Sequence, residues 1–468
     1  MTGQRVGEGR AVRYGLLAGA LLTVEFVAGM QTFLLRTVIP LVGADLDAHE
    51  FYGVMTGAAE IAMFVTLPLG PYLLQRFAVD RLLLNLTLLS VAGGVIAALA
   101  PSVGVFVLGR ACSGLAAGAL ASVSLAAIVT VLPAGWRRAV LAGYNVMWII
   151  TSFVGPTYAA WVASALSWRW ALVLYLPLLV VARVVIARQL RGTLNPGGQE
   201  RLAIGSAFML TGGVALVSLV GLRTLPTGVA FAVGGVGIAT TLFAARRLLP
   251  HGTLTARPGR PAALATMGLL TAAYFGAGAI IAIIVHDLLH GTSRDVGVVL
   301  AGGGLGWAFA GLAVAKWPAQ AARTYVRRST LGACFLVAGM AATVAVLLVD
   351  GITVPVQIVL FGWTLASVGM GLTYLDTINH IVDIPQEVDD VSPAKAAALE
   401  ILIEAIATAT LSTLTAAMVG RAIAGGAGYE AAAIALTLTA LAAASLAWTV
   451  RRLVACASAG SSGDVQLS

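Results

Sequence analysis

Four glutamates lie inside long apolar stretches, where charged side chains are rare. Glu25, Glu60 and Glu404 each fall near the middle of such a stretch, counting about 1.5 Å of helix per residue from the nearer end. Glu400 precedes Glu404 by four residues, so the two lie one turn apart on the same helix face. Because burial penalises the charged form, a carboxyl in this setting can hold a proton or meet a cationic substrate. These glutamates are therefore the candidate proton-coupling and substrate residues, with Glu25 and Glu404 first.

Two arginines share these apolar surroundings. Arg110 is followed by Gly114 and Gly118 at intervals of four residues, which leaves a bare helical stripe for close packing. Arg36 follows Glu25 by eleven residues, about three helical turns, so both lie along one face. A guanidinium here needs a polar cavity or a partner, and we predict that Arg110 faces a bundle interior near a carboxylate. The alternative interpretation is structural: the acids only neutralise Arg36 and Arg110 and hold helices together.

The composition indicates which elements must position these charges. Of 468 residues, 59% are hydrophobic and 10% are charged, and the mean hydropathy is +0.95. A soluble domain is about 25% charged. Apolar stretches long enough to cross a bilayer recur to the end of the chain. The charged residues 1–13 precede a stretch that is too long for a signal peptide. The chain is therefore predicted to be an all-α integral membrane protein.

The apolar stretches number about fourteen and fall into groups of six, two and six. Basic linkers bracket the middle pair, which carries no acidic residue, so we interpret this pair as a peripheral insert that lines no cavity. The predicted domains are 1–190, 191–262 and 263–452, followed by a cytoplasmic tail over 453–468. The predicted helices are 15–41, 51–74, 82–100, 104–132, 139–165, 168–188, 203–222, 226–244, 263–286, 295–315, 329–349, 354–378, 394–423 and 429–449.

The arginines predict how the chain crosses the membrane. They cluster before the first predicted helix and after the second, fourth, sixth, eighth, tenth and last, all on one side. The positive-inside rule makes that side cytoplasmic. Both termini are therefore expected in the cytoplasm and the protein in the cell (plasma) membrane. The net charge of +8 is explained by this topology, so nucleic acid is not an expected partner. Three arginines break the rule: Arg223, Arg294 and Arg421.

The sequence has no nucleotide-binding, zinc or nucleophile motif. We therefore expect no cofactor, no metal and no enzymatic activity, and an energy source other than ATP hydrolysis by this chain. His286 and Asp287 fall at a helix end, where we predict a solvated cap rather than a metal site. Asp376 and His380 fit gate contacts and ordinary interfacial polarity equally well.

Three motifs, in order along the chain, resemble one known family. Arg110-Ala-Cys-Ser-Gly114 resembles the fourth-helix R-x-x-x-G motif of the major facilitator superfamily. Gly155-Pro156-Thr-Tyr-Ala-Ala is similar to the fifth-helix motif of its exporters, with alanines replacing the two trailing glycines. The Gly-Pro pair also predicts a bend in its helix. The Ser-Trp-Arg-Trp sequence that follows, with its later proline, is similar to a helix junction in the drug:proton antiporter branches.

The resemblance covers nearly the whole chain and points to the branch with fourteen helices. It implies two six-helix bundles plus an inserted helix pair, with alternating access around a midplane site. It also implies export of an amphipathic or hydrophobic small molecule in exchange for protons, and the exporter direction rests on Gly155 and Pro156. The expected partners are that substrate, protons and membrane lipids, and a monomer is expected.

The loop between the second and third predicted helices departs from the family. Relatives carry charges there that hold the cytoplasmic gate. Gly70, Arg76, Asp80 and Arg81 match that pattern, but the acid expected four residues after Gly70 is replaced by Leu74. We therefore predict a weakened gate contact.

The first helix departs as well, and alternatives stay open. Related antiporters carry an acid nine residues before the proline that ends this helix, and counting back from Pro40 gives Gln31, which cannot titrate. Glu25 lies six residues earlier and points about 120° away. Proton coupling is therefore open. The alternative functions are a lipid or glycolipid exporter on the same fold, an importer of sugars or acids, and an intramembrane enzyme or inactive sensor.

Overall fold

The described chain is helical throughout. The computed structural model describes residues 2–191, 204–319, 321–383, 389 and 391–460, and it contains no strand in those ranges. Thirteen of its helices are long and apolar enough to cross a membrane, and a shorter apolar helix, Gly205–Gly221, makes a fourteenth candidate. Helices satisfy every internal backbone polar group, which the membrane interior requires. The predicted all-α membrane fold class is confirmed.

The contacts divide the chain into two compact units. Unit 1 comprises Met1–Val38 and Ala58–Thr211. Its helices are α1 (Thr2–Asp45), α2 (Tyr52–Thr66), α3 (Gly70–Arg76), α4 (Val79–Ala98), α5 (Val103–Val131), α6 (Ala134–Ala165), α7 (Trp168–Ala171) and α8 (Leu176–Gln189), with a 3₁₀ turn over Leu67–Leu69.

Unit 2 comprises Ile39–Gly57 and Gly212–Ser468, so it includes the last turns of α1 and the first of α2. Its helices are α9 (Ile204–Ser218), which begins in unit 1, α10 (Thr227–Leu248), α11 (Arg260–Ile283), α12 (Ser293–Lys316), α13 (Ala322–Leu348), α14 (Pro355–Val382), α15 (Pro393–Ile423) and α16 (Gly428–Gly460). Short 3₁₀ turns cover His49–Phe51, Leu219–Gly221 and Thr253–Thr255, and a π-helical turn, Ile284–Leu288, extends α11.

This division differs from the predicted domains. Segment 39–57 groups with unit 2, and so do residues 212–248 of the middle helix pair. The last helix continues to Gly460, beyond the predicted boundary at 452, and 461–468 lie outside the described residues. Most of the predicted linker, 192–203, also lies outside them. That the middle pair is a peripheral insert stays a prediction.

In unit 1, glycines allow helices to approach closely. A Cβ atom added at Gly114 would lie 2.1 Å from the carbonyl oxygen of Ala59, so α5 packs directly on the backbone of α2. Gly118 is equally close-packed, 2.5 Å from the carbonyl oxygen of Met63. These two positions are the bare stripe predicted beside Arg110.

In unit 2, α11 is the central helix. Almost all of its residues are buried, and it packs against α14, α15 and α16. On the neighbouring α12, a Cβ atom at Gly303 would lie 2.3 Å from the indole nitrogen of Trp363, so this glycine makes room for the Trp363 ring of α14. The Gly-rich stretch around Gly303 is therefore a packing surface.

Two arginines that break the charge rule bind helix-end carbonyls in unit 2. Arg421 donates to the carbonyl oxygens of Leu222 and, at 2.8 Å, of Leu225. Arg223 donates to the carbonyl oxygen of Ala424. Positive side chains satisfy the free carbonyls at helix ends, which gives these residues a local reason for their position. The same contacts fasten the turn between α9 and α10 to the end of α15.

Candidate functional site

The acids of unit 2 form a hydrogen-bonded chain on α15 and α14. Glu400 is 7% exposed, and its side chain is hydrogen-bonded to that of Glu404 one turn away. The hydroxyl of Tyr374 donates to Oε2 of Glu404 at 3.0 Å. Oε1 of Glu400 is buried and has no hydrogen-bond partner among the described residues. Two carboxylates this close repel each other, and a proton shared between them would relieve that repulsion.

Aromatic rings continue from this acid pair. Trp307 meets Tyr374 edge-on with ring centroids 5.6 Å apart, and it meets Tyr274 in the same way at 5.7 Å. Tyr274 stacks on Trp363 at 4.8 Å, and its hydroxyl lies 3.1 Å from Oγ of Ser367. Such a cluster offers flat apolar surface with a few hydroxyl groups. It lies beside the acids and inside unit 2.

Unit 1 holds a different arrangement around Glu25. The indole nitrogen of Trp148 on α6 donates to Oε1 of Glu25 at 2.8 Å. Arg183 on α8 is an electrostatic partner of both Glu25 and Tyr144, and it donates to Oγ of Ser124 at 3.0 Å. Arg183 is 6% exposed, and its Nε has no hydrogen-bond partner among the described residues.

Sequence reasoning missed Arg183. The signal was present, because Arg183 interrupts an apolar stretch in the same way as Arg110 does. Arg188 and Arg191, at the end of the same helix, fit the positive-inside pattern, whereas Arg183 lies well inside the apolar stretch.

A second charge cluster surrounds Glu60. Its electrostatic partners are Arg110 on α5 and Arg36 on α1. Oε2 of Glu60 and Nε of Arg110 are both buried without a hydrogen-bond partner among the described residues. Arg110 also lies close enough to Tyr175 to interact with its hydroxyl, which accepts a hydrogen bond from Nε2 of Gln31 at 3.0 Å. Gln31, at the place of the expected acid, is thus tied to the same cluster.

The exporter motif packs against α1. α6 continues through Pro156 without ending. A Cβ atom at Gly155 would lie 2.9 Å from the Cβ of Phe33 and 3.2 Å from the carbonyl oxygen of Met30. Gly155 therefore keeps α1 and α6 in close contact.

The predicted gate residues lie around α3 and the start of α4. Gly70 begins α3, and Asp80 and Arg81 lie in the first turn of α4. Arg76 donates to the hydroxyl of Tyr72 at 2.9 Å, one turn back on the same helix. Leu74, which replaces the expected acid, is buried.

Unit 2 contains a largely buried ion pair between α13 and α14, close to the connection between α12 and α13. Nη1 of Arg328 donates to Oδ2 of Asp376 at 2.8 Å, and Nη2 donates to the carbonyl oxygen of Trp317 at 2.7 Å. Asp376 is 2% exposed. Ring stacking of His380 on Tyr325, at 4.1 Å, completes the contact. Within unit 2, Asp376 is therefore held by an ion pair and His380 by ring stacking.

A further ion pair fastens the segment before α15. Nε and Nη2 of Arg260 donate to the two carboxylate oxygens of Asp389, at 2.5 and 2.9 Å. This hydrogen bonding, helped by the charge of Arg260, lowers the pKa of Asp389 below its usual range. The other acidic residues between 384 and 390, Glu387 and Asp390, lie outside the described residues.

The described residues contain no group of three metal-ligating side chains. Their chemistry is that of buried carboxyl groups, arginines and aromatic rings. Buried carboxyl groups can take up protons, and aromatic rings offer surface to amphipathic molecules.

The chain is similar to known membrane proteins in sequence and in fold. The profile of the Major Facilitator Superfamily matches residues 21–383. The Efflux pump FUS6 of Gibberella moniliformis is 24% identical over 218 residues, which is 45% of this chain and 38% of that protein. The Multidrug transporter protein MdtP of Bacillus subtilis is 21% identical over 211 residues, 45% of this chain and 39% of that protein. The chain thus spans less than half the length of these curated relatives.

Among solved structures, the chain is similar to a bacterial homolog of the human lysosomal transporter Spinster in an inward-facing and unoccupied conformation. The TM-score is 0.63 at 11% identity, over 95% of this chain and 98% of that one. This likeness concerns the fold. Since the family profile matches more than half of the residues, the chain belongs to the Major Facilitator Superfamily, and so to the membrane transporters rather than the enzymes.

Proposed function

We propose that this protein exports amphipathic or hydrophobic small molecules in exchange for protons, and that Glu400 and Glu404 hold the exchanged proton. The observation that carries this proposal is the close approach of the buried Glu400 side chain to that of the half-buried Glu404, which accepts a hydrogen bond from Tyr374. The names of the relatives, an efflux pump and a multidrug transporter, support the exporter direction. We further propose a monomer in the cell membrane with cytoplasmic termini.

The unit 1 acids have a different role in this proposal. Glu25 has Arg183 as an electrostatic partner, and Glu60 has Arg110 and Arg36. The electrostatic partner of Glu400 is another carboxyl group. A carboxylate beside a guanidinium is already neutralised, whereas two adjacent carboxylates repel each other and favour proton uptake. Glu400 is therefore a better candidate for the proton-coupling residue than Glu25. In this proposal Glu25 positions other groups or binds substrate.

The test is flux of a fluorescent amphipathic dye in proteoliposomes with an imposed proton gradient. We expect the proton gradient to increase dye flux by the wild-type protein. In Glu404→Gln and Glu400→Gln this increase should be at least about tenfold smaller, because glutamine keeps the shape but cannot exchange a proton. Glu430→Gln, an exposed acid at the start of α16, is the control and should behave as wild type. Full gradient dependence in both pair variants would contradict the coupling role.

A lipid exporter is the second candidate, favoured by one groove in unit 1. It has a volume of about 300 Å³, opens to the surface between α1 and α8, and has mostly apolar walls, which are the kind that a lipid chain contacts. It is lined by Gly15, Leu16, Gly19, Ala20, Thr23, Leu178, Val181, Ala182 and Val185. A fluorescent phospholipid in the same proteoliposomes decides between the two. Lipid movement without dye movement would replace the drug-export proposal with this one.

A further inference from the structure

The groove between α1 and α8 has an arginine at one of its ends. Nε of Arg13 on α1 donates to Oε1 of Gln189 on α8 at 2.9 Å, and Nη2 donates to the backbone carbonyl oxygen of Gln189 at 2.8 Å. Arg13 precedes Gly15 by two residues, and Gln189 follows Val185 by four; Gly15 and Val185 are the lining residues nearest to this end. The groove therefore has an apolar body and a basic end.

The last turn of α8 adds a second positive charge at this end. The lining residues of α8 recur at intervals of three or four from Leu178 to Val185, and Arg188 follows Val185 by three. Residues at this spacing lie on one face of a helix. Arg13 and Arg188 are both exposed, and the sequence has no acidic residue between 13 and 24 or between 176 and 191. Both helices thus bring positive charge to the same end.

The length of the groove matches one leaflet of a bilayer. From Gly15 to Thr23 it follows α1 for eight residues, which is about 12 Å of helix. The hydrocarbon core of a bilayer is about 30 Å thick, so one leaflet contributes about 15 Å. Two of the lining residues, Leu16 and Val181, are 54% and 62% exposed. The groove is therefore open sideways, where acyl chains of a single leaflet would meet it.

The basic end indicates which lipid would bind. Arg13 and Gln189 lie at the ends of two candidate membrane spans, Arg13–Asp45 and Trp168–Gln189, and the arginine clusters predict that these ends are cytoplasmic. The cytoplasmic leaflet carries anionic lipids, and basic pockets between membrane helices on that side bind their headgroups. The two bonds from Arg13 to Gln189 use two of the five N–H donors of a guanidinium, so further donors can bind a phosphate.

We propose that the groove between α1 and α8 binds one anionic phospholipid of the cytoplasmic leaflet, with an acyl chain along the groove and the phosphate at Arg13 and Arg188. The proposal concerns a lipid that stays bound to the protein. It holds whichever molecule the transporter exports and whichever acids couple transport to protons.

The test compares two lipids with identical acyl chains, phosphatidylglycerol and phosphatidylcholine, on the full-length protein purified in detergent. Native mass spectrometry counts the lipids on each protein molecule and gives the Kd of the first one. We expect the first phosphatidylglycerol to bind at least about tenfold more tightly than the first phosphatidylcholine, because only its headgroup has a net negative charge. Equal affinities would mean that lipids bind to the apolar surface without a headgroup site, and would overturn the proposal.

Three variants test the basic end. Arg13→Gln should reduce the preference for phosphatidylglycerol at least about threefold, because one of the two charges is lost. Arg13→Lys should keep most of the preference, since it keeps the charge that binds the phosphate although it loses the planar guanidinium. Arg452→Gln, at an exposed arginine near the end of α16, is the matched control and should leave the preference unchanged. An unchanged preference in Arg13→Gln, or an equal loss in Arg452→Gln, would contradict the headgroup site.

A fourth variant tests the apolar body of the groove. Gly19 lines it, and a Cβ atom there would meet nothing within 4 Å, so Gly19→Leu can fill the groove without displacing other residues. We expect it to weaken binding of both lipids at least about tenfold. Gly235→Leu on α10 is the control, because Gly235 is also exposed and its Cβ position is equally open. Unchanged lipid binding in Gly19→Leu, or an equal loss in Gly235→Leu, would overturn the proposal. No dye or proton gradient is used, so failure of the transport proposal leaves this result intact.

Discussion

At the scale of single residues, the acids of unit 1 have nearby arginines that compensate their charge. Glu25 accepts from Trp148 and lies beside Arg183, so its charge has both a donor and a cation. Removing a cation that lies near a half-buried carboxylate leaves that charge less well compensated, which lowers the free energy of unfolding. The pair therefore gives a prediction that separates charge from shape.

We expect Arg183→Leu to lower the thermal unfolding temperature, since the half-buried Glu25 would lose its nearby cation and Ser124 would lose a hydrogen-bond donor. Adding Glu25→Gln to that variant should restore much of the loss, because the amide oxygen still accepts from Trp148. The measurement is unfolding of the purified protein in detergent, followed by tryptophan fluorescence.

Arg188→Leu, an exposed arginine on the same helix, is the matched control and should change little. If Arg183→Leu were as stable as this control, or if the double variant were no better than the single one, Arg183 would not be the cation on which Glu25 depends.

The sequence predicted the acids and Arg110, but it could not predict their partners. Which arginine meets Glu25 depends on how α1, α6 and α8 rotate about their axes, and an apolar stretch with apolar residues on every side carries no periodic signal for that rotation. The same limit explains why the predicted solvated cap is wrong for Asp287, whose side chain is 5% exposed and accepts a hydrogen bond from Tyr52. Its partner Tyr52 is 235 residues away in sequence.

At the scale of helices, close backbone contact explains the glycine stripe of α5. Gly114→Ala places a methyl group where the carbonyl oxygen of Ala59 already lies, so α5 and α2 must separate. Overpacking of this kind costs about 1–3 kcal/mol, and we expect a lower unfolding temperature. Fluorescence-monitored unfolding in detergent measures it.

Gly104→Ala is the control on the same helix. A Cβ atom there meets nothing within 4 Å, so alanine should be neutral or stabilise α5 by up to about 1 kcal/mol. Equal behaviour of the two alanine variants would mean that α5 can shift freely at Gly114.

Helix number and position were largely predictable, because about twenty apolar residues in sequence are a strong signal. Local irregularities were not. The second predicted helix, 51–74, is α2, a 3₁₀ turn and α3, and α11 ends in a π-helical turn. Such changes arise from packing that the hydropathy pattern does not contain.

At the scale of the whole molecule, the number of crossings determines the sides of the termini. The described part of the chain has thirteen long helices and one shorter one, an even number, so we expect both termini on one side of the membrane. The arginine clusters place that side in the cytoplasm. Epitope tags at each terminus should therefore bind antibody only after cells are permeabilised.

A tag placed in the loop after α1, at Asp47, should bind in intact cells and is the positive control. Termini on opposite sides would mean that the shorter helix, Gly205–Gly221, does not cross, and the inserted pair would then need another interpretation.

Helix α1 has a proline close to the point where segment 39–57 begins. Pro40 lies inside this otherwise continuous helix, two residues beyond Val38, where the contacts of unit 1 end. Proline cannot donate the helical hydrogen bond, and its ring crowds the preceding turn, a loss of about 3 kcal/mol or more in an ordinary helix. The helix is therefore mechanically compliant at this point and can serve as a hinge.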